Sequence, residues 1–164
     1  MATTEAQSRI TKEQSQLLKA VQVELLGRAQ DAIRTVKGSQ QDLNHLLCDI
    51  NGINRLLSAQ LEARERGEGI AGLRRKVGKD YRKSMVDKLV SSDGGDLSFA
   101  KRVLQFAFAM EDAVACDNPD ILAMDNNAEN CKVLANVFFG RASEKTDDYI
   151  AREAEKKESP RRSR

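Results

Sequence analysis

The stretch of this sequence most open to a chemical interpretation is GEGIAGLRRKVGKDYRK, residues 67–83. Gly67, Gly69 and Gly72 have the spacing GxGxxG, and a dense run of lysine and arginine follows them. Glycine loops that lead into a helix N-terminus bind phosphate groups in many nucleotide-binding enzymes. The same residues also suit a connector that precedes a basic helix. The elements on either side of the glycines decide between these two interpretations.

A dinucleotide-binding loop needs a strand before its glycines and a helix after them. The preceding segment, LLSAQLEARER, has helical composition, and the chain contains no strand pattern. A P-loop alignment also fails, because five residues rather than four separate Gly72 from Gly78. Lys79 is then followed by Asp80, so the hydroxyl that would bind magnesium is missing. We therefore interpret residues 65–72 as a glycine-rich connector.

The basic residues after the connector fit a cationic helix face that binds phosphates along a nucleic-acid backbone. Arg75, Lys79 and Arg82 share one stripe of the predicted helix, and Lys76 and Lys83 belong to an adjoining stripe with Lys79. No Asn or Gln is interleaved with the arginines, so we expect backbone contacts without sequence preference. The predicted polyanion-binding residues are Arg74, Arg75, Lys76, Lys79, Arg82 and Lys83 of the helix and Arg161, Arg162 and Arg164 of the C-terminal tail.

Two other interpretations of the basic helix remain open. A charged helix face is often only solvated. The charge of the chain is also segregated, because residues 74–88 hold seven basic and two acidic residues, whereas residues 103–131 hold six acidic residues and no lysine or arginine. The basic helix could therefore pair with the acidic segment, within one chain or between copies.

Metal binding and catalysis find little support in the residue types. His45 is the only histidine, and it lies three residues before Cys48 on a predicted helix, while Cys116 and Cys131 are distant and unpaired in sequence. We expect neither a metal nor a cofactor. Adjacent acidic pairs point in different directions from a helix, so we expect no enzyme activity. An odd number of cysteines, no CxxC and a polar N-terminal stretch predict free thiols and an intracellular protein, cytoplasmic or nuclear rather than secreted, with no membrane span.

The elements that must position these residues are predicted to be helices, and the fold class is an all-α bundle of five to seven helices in one domain, residues 1–158. Helices over 4–37 and 39–64 form a long antiparallel hairpin, residues 4–64, because Gly38 separates them. The connector 65–72 and the basic helix 73–90 come next. Residues 97–158 form the C-terminal helices, and residues 159–164 form a disordered tail.

The second helix of the hairpin carries an apolar seam with 3-4-3-4 spacing. Two heptads are too few to define a coiled coil, so packing within a bundle is an equal alternative to self-association. The predicted self-association residues are Leu43, Leu46, Ile50, Ile53 and Leu57.

The C-terminal region begins with its most apolar segment, residues 97–116, which we predict to be the central core helix. Asn118 caps a short helix around residues 121–124, with Pro119 in its first turn. A helix over 128–139 is predicted to end at Gly140, and a last helix, 143–157, to follow.

Together these features predict a non-catalytic helical assembly protein. It would form homo-oligomers through the seam and bind RNA or DNA through the basic helix. The alternative is an adaptor or chaperone on the same bundle, which would bind a partner helix at the seam and have no nucleic-acid role.

Overall fold

The computed structural model describes residues 9–35, 40–68, 82–84 and 97–158. Within these ranges all regular secondary structure is helical, so the predicted all-α bundle is confirmed. Residues 82–84 are helical as well. The helices with described bounds are α1 (Lys12–Thr35), α2 (Gln40–Glu65), α3 (Leu97–Val114), α4 (Pro119–Leu122) and α5 (Ala128–Glu158).

The helices pack around a central pair, α1 and α3. α2 packs against both members of this pair, and α5 packs against both as well, so the four long helices share one core. That core consists mainly of leucine, isoleucine, valine and alanine, as the composition predicts. Aromatic contacts join α3 to α5, where the ring centroids of Phe106 and Phe139 lie 4.4 Å apart.

The predicted N-terminal hairpin is confirmed as an antiparallel pair of helices, α1 and α2. Ser15 Oγ donates to Glu65 Oε2 at 2.8 Å, and Gln30 Nε2 donates to Asn51 Oδ1 at 2.8 Å. Contacts therefore move toward the start of α2 as they move along α1, which is the antiparallel direction. Residues 36–39, where the turn was predicted, lie outside the described residues.

The start of α1 differs from the prediction, which placed residues 9–11 inside a helix that begins at Thr4. The helix begins at Lys12. Thr11 Oγ1 accepts a hydrogen bond from the backbone N–H of Gln14 at 3.1 Å, and Gln14 Oε1 accepts one from the backbone N–H of Thr11 at 2.9 Å. This is a capping box, which satisfies two amide groups that the helix leaves unpaired. The prediction was wrong because it followed composition and missed this cap.

The last helix also differs from the prediction. α5 runs without interruption from Ala128 to Glu158, so the predicted break at Gly140 is wrong. Phe138 and Ala142, on either side of the glycine, are both buried in the core. Packing of these side chains holds the backbone helical through Gly140, although glycine costs a helix interior about 1 kcal/mol relative to alanine.

The predicted boundaries between α3 and α5 are close to the observed ones. α3 ends at Val114, two residues before the predicted end. Asn118 caps α4 as predicted, because its Oδ1 accepts hydrogen bonds from the backbone N–H groups of Asp120 and Ile121. Asn127 has the same role at the start of α5, where its Oδ1 accepts from Asn130 N at 2.8 Å. Among the helices described, none is both long enough and apolar enough to cross a bilayer.

Candidate nucleic-acid interface

The first glycine of the GxGxxG pattern terminates a helix. Gly67 follows α2 and has a φ of 78°, a conformation in which an L side chain is strained. The backbone N–H of Glu68 donates to Ala63 O at 2.9 Å, and that of Gly67 donates to Arg64 O at 3.1 Å. These two bonds define a Schellman motif. Gly67 therefore has a structural role that requires no phosphate, and the rest of the pattern, Gly69 and Gly72, lies outside the described residues.

Arg82–Ser84 is the described part of the basic segment, and two of its three side chains are held by the bundle. Arg82 Nη1 donates to both carboxylate oxygens of Glu111 on α3, at 2.5 and 2.6 Å. Ser84 Oγ donates to Asp49 Oδ2 on α2 at 3.0 Å. Lys83, between them, is exposed. The segment is thus fixed with one lysine facing solvent.

Aromatic rings surround the Arg82 guanidinium. Its Cζ lies 4.8 Å from the ring centroid of Phe108 and 5.5 Å from that of Tyr149. The two rings meet edge to face, with centroids 5.5 Å apart. Both distances are within the range of cation–π attraction. Arg82 is therefore held by a carboxylate and two aromatic side chains, contributed by α3 and α5.

The Arg82–Glu111 ion pair is largely shielded from water, because the side chains are 16% and 9% exposed. Burial raises the pKa of the Glu111 carboxyl, and the nearby positive charge of Arg82 opposes this effect without cancelling it. Arg82 Nε is buried and has no hydrogen-bond partner in the described structure. The pair is therefore incompletely satisfied, which reduces what it contributes to stability.

A second ion pair lies beside the first. Lys145 Nζ on α5 lies 3.0 Å from Asp112 Oδ1 and 5.4 Å from the centroid of the Phe108 ring. Both partners are partly exposed, with side-chain exposures of 51% and 29%. Two cations and two carboxylates thus meet around Phe108, and their charges balance locally.

The structure places two of the nine predicted polyanion-binding residues. Arg82 faces the bundle, and Lys83 faces solvent. The other predicted residues lie outside the described ranges and remain predictions: Arg74, Arg75, Lys76, Lys79, Arg161, Arg162 and Arg164. The oppositely charged segments seen in the sequence meet within one chain at Arg82 and Glu111.

The predicted self-association seam lies in the core of the single chain. Leu46 is 5% exposed, and Ile50, Ile53 and Leu57 are 0% exposed. Leu43 is partly buried and packs against the same core. Self-association through these side chains would require the bundle to open, so the structure offers no exposed seam for a second copy or a partner helix.

The most deeply buried charged residue, Arg64, was not recognised in the sequence as a structural residue. It is 0% exposed and lies in the last turn of α2. Its guanidinium donates to Val114 O at 2.5 Å, to Cys116 O at 3.0 Å and to Asp117 Oδ1 at 2.7 Å. These carbonyls lie at and just beyond the C-terminus of α3, where the helix dipole favours a positive charge. The acidic residue after α3, Asp117, was the available sequence signal.

The possible zinc ligands do not form a site. His45 and Cys48 are exposed on α2, whereas Cys116 and Cys131 are buried. Burial raises the pKa of both buried thiols. In the described part of the chain, no group of three or more His, Cys, Asp or Glu residues is arranged to hold a metal ion.

Comparison with known proteins returns no relative. No protein family, no curated protein and no solved structure matches this chain. Its function must therefore be argued from the residues and contacts described above.

Proposed function

We propose that this chain is a non-catalytic helical protein that binds a polyanion, the backbone of RNA or DNA, without sequence preference through its basic segment. The observation that carries the proposal is Lys83, which is exposed between two residues that the bundle holds, Arg82 and Ser84. A cation that is fixed on a folded scaffold loses less conformational freedom when it binds a phosphate than one on a free chain does.

The anchoring also gives opposite environments to one member of each predicted basic stripe, and the two stripes share Lys79. Arg82 belongs to one stripe and faces Glu111, whereas Lys83 belongs to the other and faces solvent. On the sequence prediction of a helix over residues 73–90, Lys76 and Lys79 share the side of Lys83. The stripe of these three lysines is therefore our preferred phosphate-binding surface.

The adaptor alternative receives less support. It depended on an accessible apolar seam, and the seam residues from Leu46 to Leu57 are buried in the bundle. Exposed large apolar side chains among the described residues are limited to Val23 and Val133, each about half exposed (51% and 49%). Isolated residues of this kind are normal on soluble surfaces and do not define a docking site.

Filter binding at low salt tests the proposal, with oligouridylate and duplex DNA as probes. The variant K76E/K79E/K83E should lose retention of both, because it reverses the charge of the predicted lysine stripe while leaving the Arg82–Glu111 pair intact. The matched control is K12E/K132E/R141E, which makes the same change in net charge at exposed positions on α1 and α5. The control should retain most of the binding.

Two outcomes would contradict the proposal. The first is a native protein that retains neither probe at low salt. The second is a control variant that loses as much binding as the stripe variant, because binding would then reflect net charge and not this surface.

A further inference from the structure

Of the two predicted phosphate-binding residues that the structure describes, Arg82 faces inward, and its guanidinium is bound to Glu111. Arginine binds a carboxylate and a phosphate through the same donor groups, since both present two oxygens to the planar guanidinium. Glu111 already fills that position at 2.5 and 2.6 Å. Both bonds come from Nη1 of a guanidinium that is largely shielded from water, so a nucleic-acid phosphate must compete with Glu111 for Arg82.

We propose that the Arg82–Glu111 contact is an autoinhibitory contact, in which Glu111 occupies the guanidinium that a nucleic-acid phosphate binds once the contact opens. This inference rests on the proposed polyanion-binding function and adds a regulatory element to it. Nucleic acid competes with Glu111 for Arg82, and each exchange replaces one charge-assisted hydrogen-bonding partner with another of the same kind.

The Arg82–Glu111 ion pair is incompletely satisfied, which favours its replacement by a competing anion. Arg82 Nε is buried without a partner within the described ranges, so the buried guanidinium has not recovered all that it lost on leaving water. Glu111 is itself buried, at 7% exposure of the whole residue, so its carboxylate has also lost hydration. Opening the contact returns both groups to solvent or to better partners.

Arg64 shows what a permanent buried arginine looks like in the same fold. Its guanidinium has two backbone carbonyls and one carboxylate as acceptors, and its side chain is 1% exposed. The Arg82 side chain is 16% exposed and, among the described residues, has Glu111 as its one hydrogen-bond acceptor. Arg82 therefore has a path to solvent and fewer described hydrogen bonds to break than Arg64, although its contacts with Phe108 and Tyr149 must also be given up.

Lys83 could bring a nucleic-acid phosphate close to the Arg82–Glu111 pair. It is exposed and adjacent in sequence to Arg82, so a backbone held by Lys83 has its next phosphates close to the ion pair. Lys145 adds a further cation near the Phe108 ring, 5.4 Å from its centroid. Release of Arg82 would join these charges into one binding surface.

The first test compares E111Q with the matched control D31N, with oligouridylate as the probe. E111Q leaves only a neutral amide as the acceptor for Arg82, so the arginine is released more easily, and the variant should bind about tenfold more tightly at low salt, which is the effect of one charge-assisted hydrogen bond. The dependence of log affinity on log salt should steepen by about 0.7, the value for one added phosphate contact on a single strand. D31N removes the same charge from an exposed position on α1, leaves the Arg82–Glu111 and Lys145–Asp112 pairs intact, and should change neither quantity appreciably.

The double variant R82Q/E111Q separates release of Arg82 from a simple change of net charge. It replaces both partners with neutral groups of similar size, which is close to neutral for stability, so it remains informative even if E111Q unfolds. It should show the native salt dependence. A gain in affinity that persists in the double variant would overturn the inference.

The E111Q chain provides an independent measurement. The ¹⁵N–H signal of its Arg82 Nε group, identified by its loss in R82Q/E111Q, should shift when oligouridylate is added. Oligouridylate binding without that shift, or equal affinity and equal salt dependence for E111Q and the native chain, overturns the autoinhibitory contact and leaves the proposed function standing. Absence of binding by both proteins at low salt overturns the proposed function, and the autoinhibitory contact with it.

Discussion

Two arginines of this chain, Arg64 and Arg82, are removed from solvent in different ways, and their partners explain why. Arg64 donates hydrogen bonds to backbone carbonyls that the end of α3 leaves unpaired, and it therefore stabilises that end of the helix. Among the described residues Arg82 binds one carboxylate, that of Glu111, which has lost most of its hydration because it is buried. The first interaction completes the fold, and the second is one that a competing anion can replace.

Replacing Arg64 with methionine should be severely destabilising. The change keeps much of the side-chain volume but leaves the carbonyls of Val114 and Cys116 without their donor, and we expect a loss of about 3 kcal/mol or more in the free energy of unfolding. Urea unfolding followed by circular dichroism measures this loss. The control is R66M, because Arg66 lies two residues away and its pair with Glu68 is exposed on both sides. The interpretation fails if the two variants unfold at the same urea concentration.

Sequence reasoning assigned Arg82 to a polyanion-binding helix face and gave Arg64 no role. The heptad spacing of α2 assigned Leu46 to Leu57 to one face, and that face is buried as a seam should be. The same pattern carried no information on whether the face meets a second copy or the rest of its own chain. The role of Arg64 depends on Val114 and Cys116, which are 50 and 52 residues away in sequence, so no local pattern could reveal it.

At the scale of the helix, local signals and packing compete to set the boundaries. Composition predicts that α1 begins before residue 12. The two hydrogen bonds of the capping box of Thr11 and Gln14 instead fix its start at Lys12. At Gly140 the outcome is reversed. A residue that often ends helices lies inside α5, because the apolar side chains around it keep the helix against the core. Composition predicts that helices exist far better than it predicts where they stop.

Replacing Gly140 with alanine should therefore stabilise the protein. The residue is exposed, and a Cβ placed there meets nothing within 4 Å, so alanine adds helix propensity without a clash. We expect a gain of about 0.5–1 kcal/mol, visible as a higher melting temperature. The comparison is G67A, which should destabilise because Gly67 has a φ of 78°. A lower melting temperature for G140A would show that the glycine ends a helix after all.

At the scale of the whole molecule, the described helices bury their apolar faces against one another. α1 and α3 are covered by α2 and α5, and the seam of α2 points into this shared core. The oppositely charged segments also meet inside one chain, at Arg82 and Glu111. Sequence analysis predicted the all-α class, the antiparallel hairpin and the segregation of charge, but it could not choose between contacts within one chain and contacts between copies, since both satisfy the same pattern.

Replacing Leu57 with alanine distinguishes these possibilities. If the seam is core, the variant should lose about 2–5 kcal/mol, the usual effect of a cavity at a fully buried leucine. Its melting temperature and that of the native protein should then not depend on protein concentration. A seam that joins two copies would instead make both melting temperatures rise with concentration, and light scattering would show a smaller particle for the variant.

The position of Arg64 also bears on how long the folded state lasts. Its acceptors lie 50 to 53 residues further along the chain, so its bonds form only after the intervening segment has closed and the end of α3 exists. We expect these bonds to be absent from the folding transition state, in which case they slow unfolding more than they speed folding. One guanidinium at the junction of two helix ends would then act mainly on the lifetime of the fold.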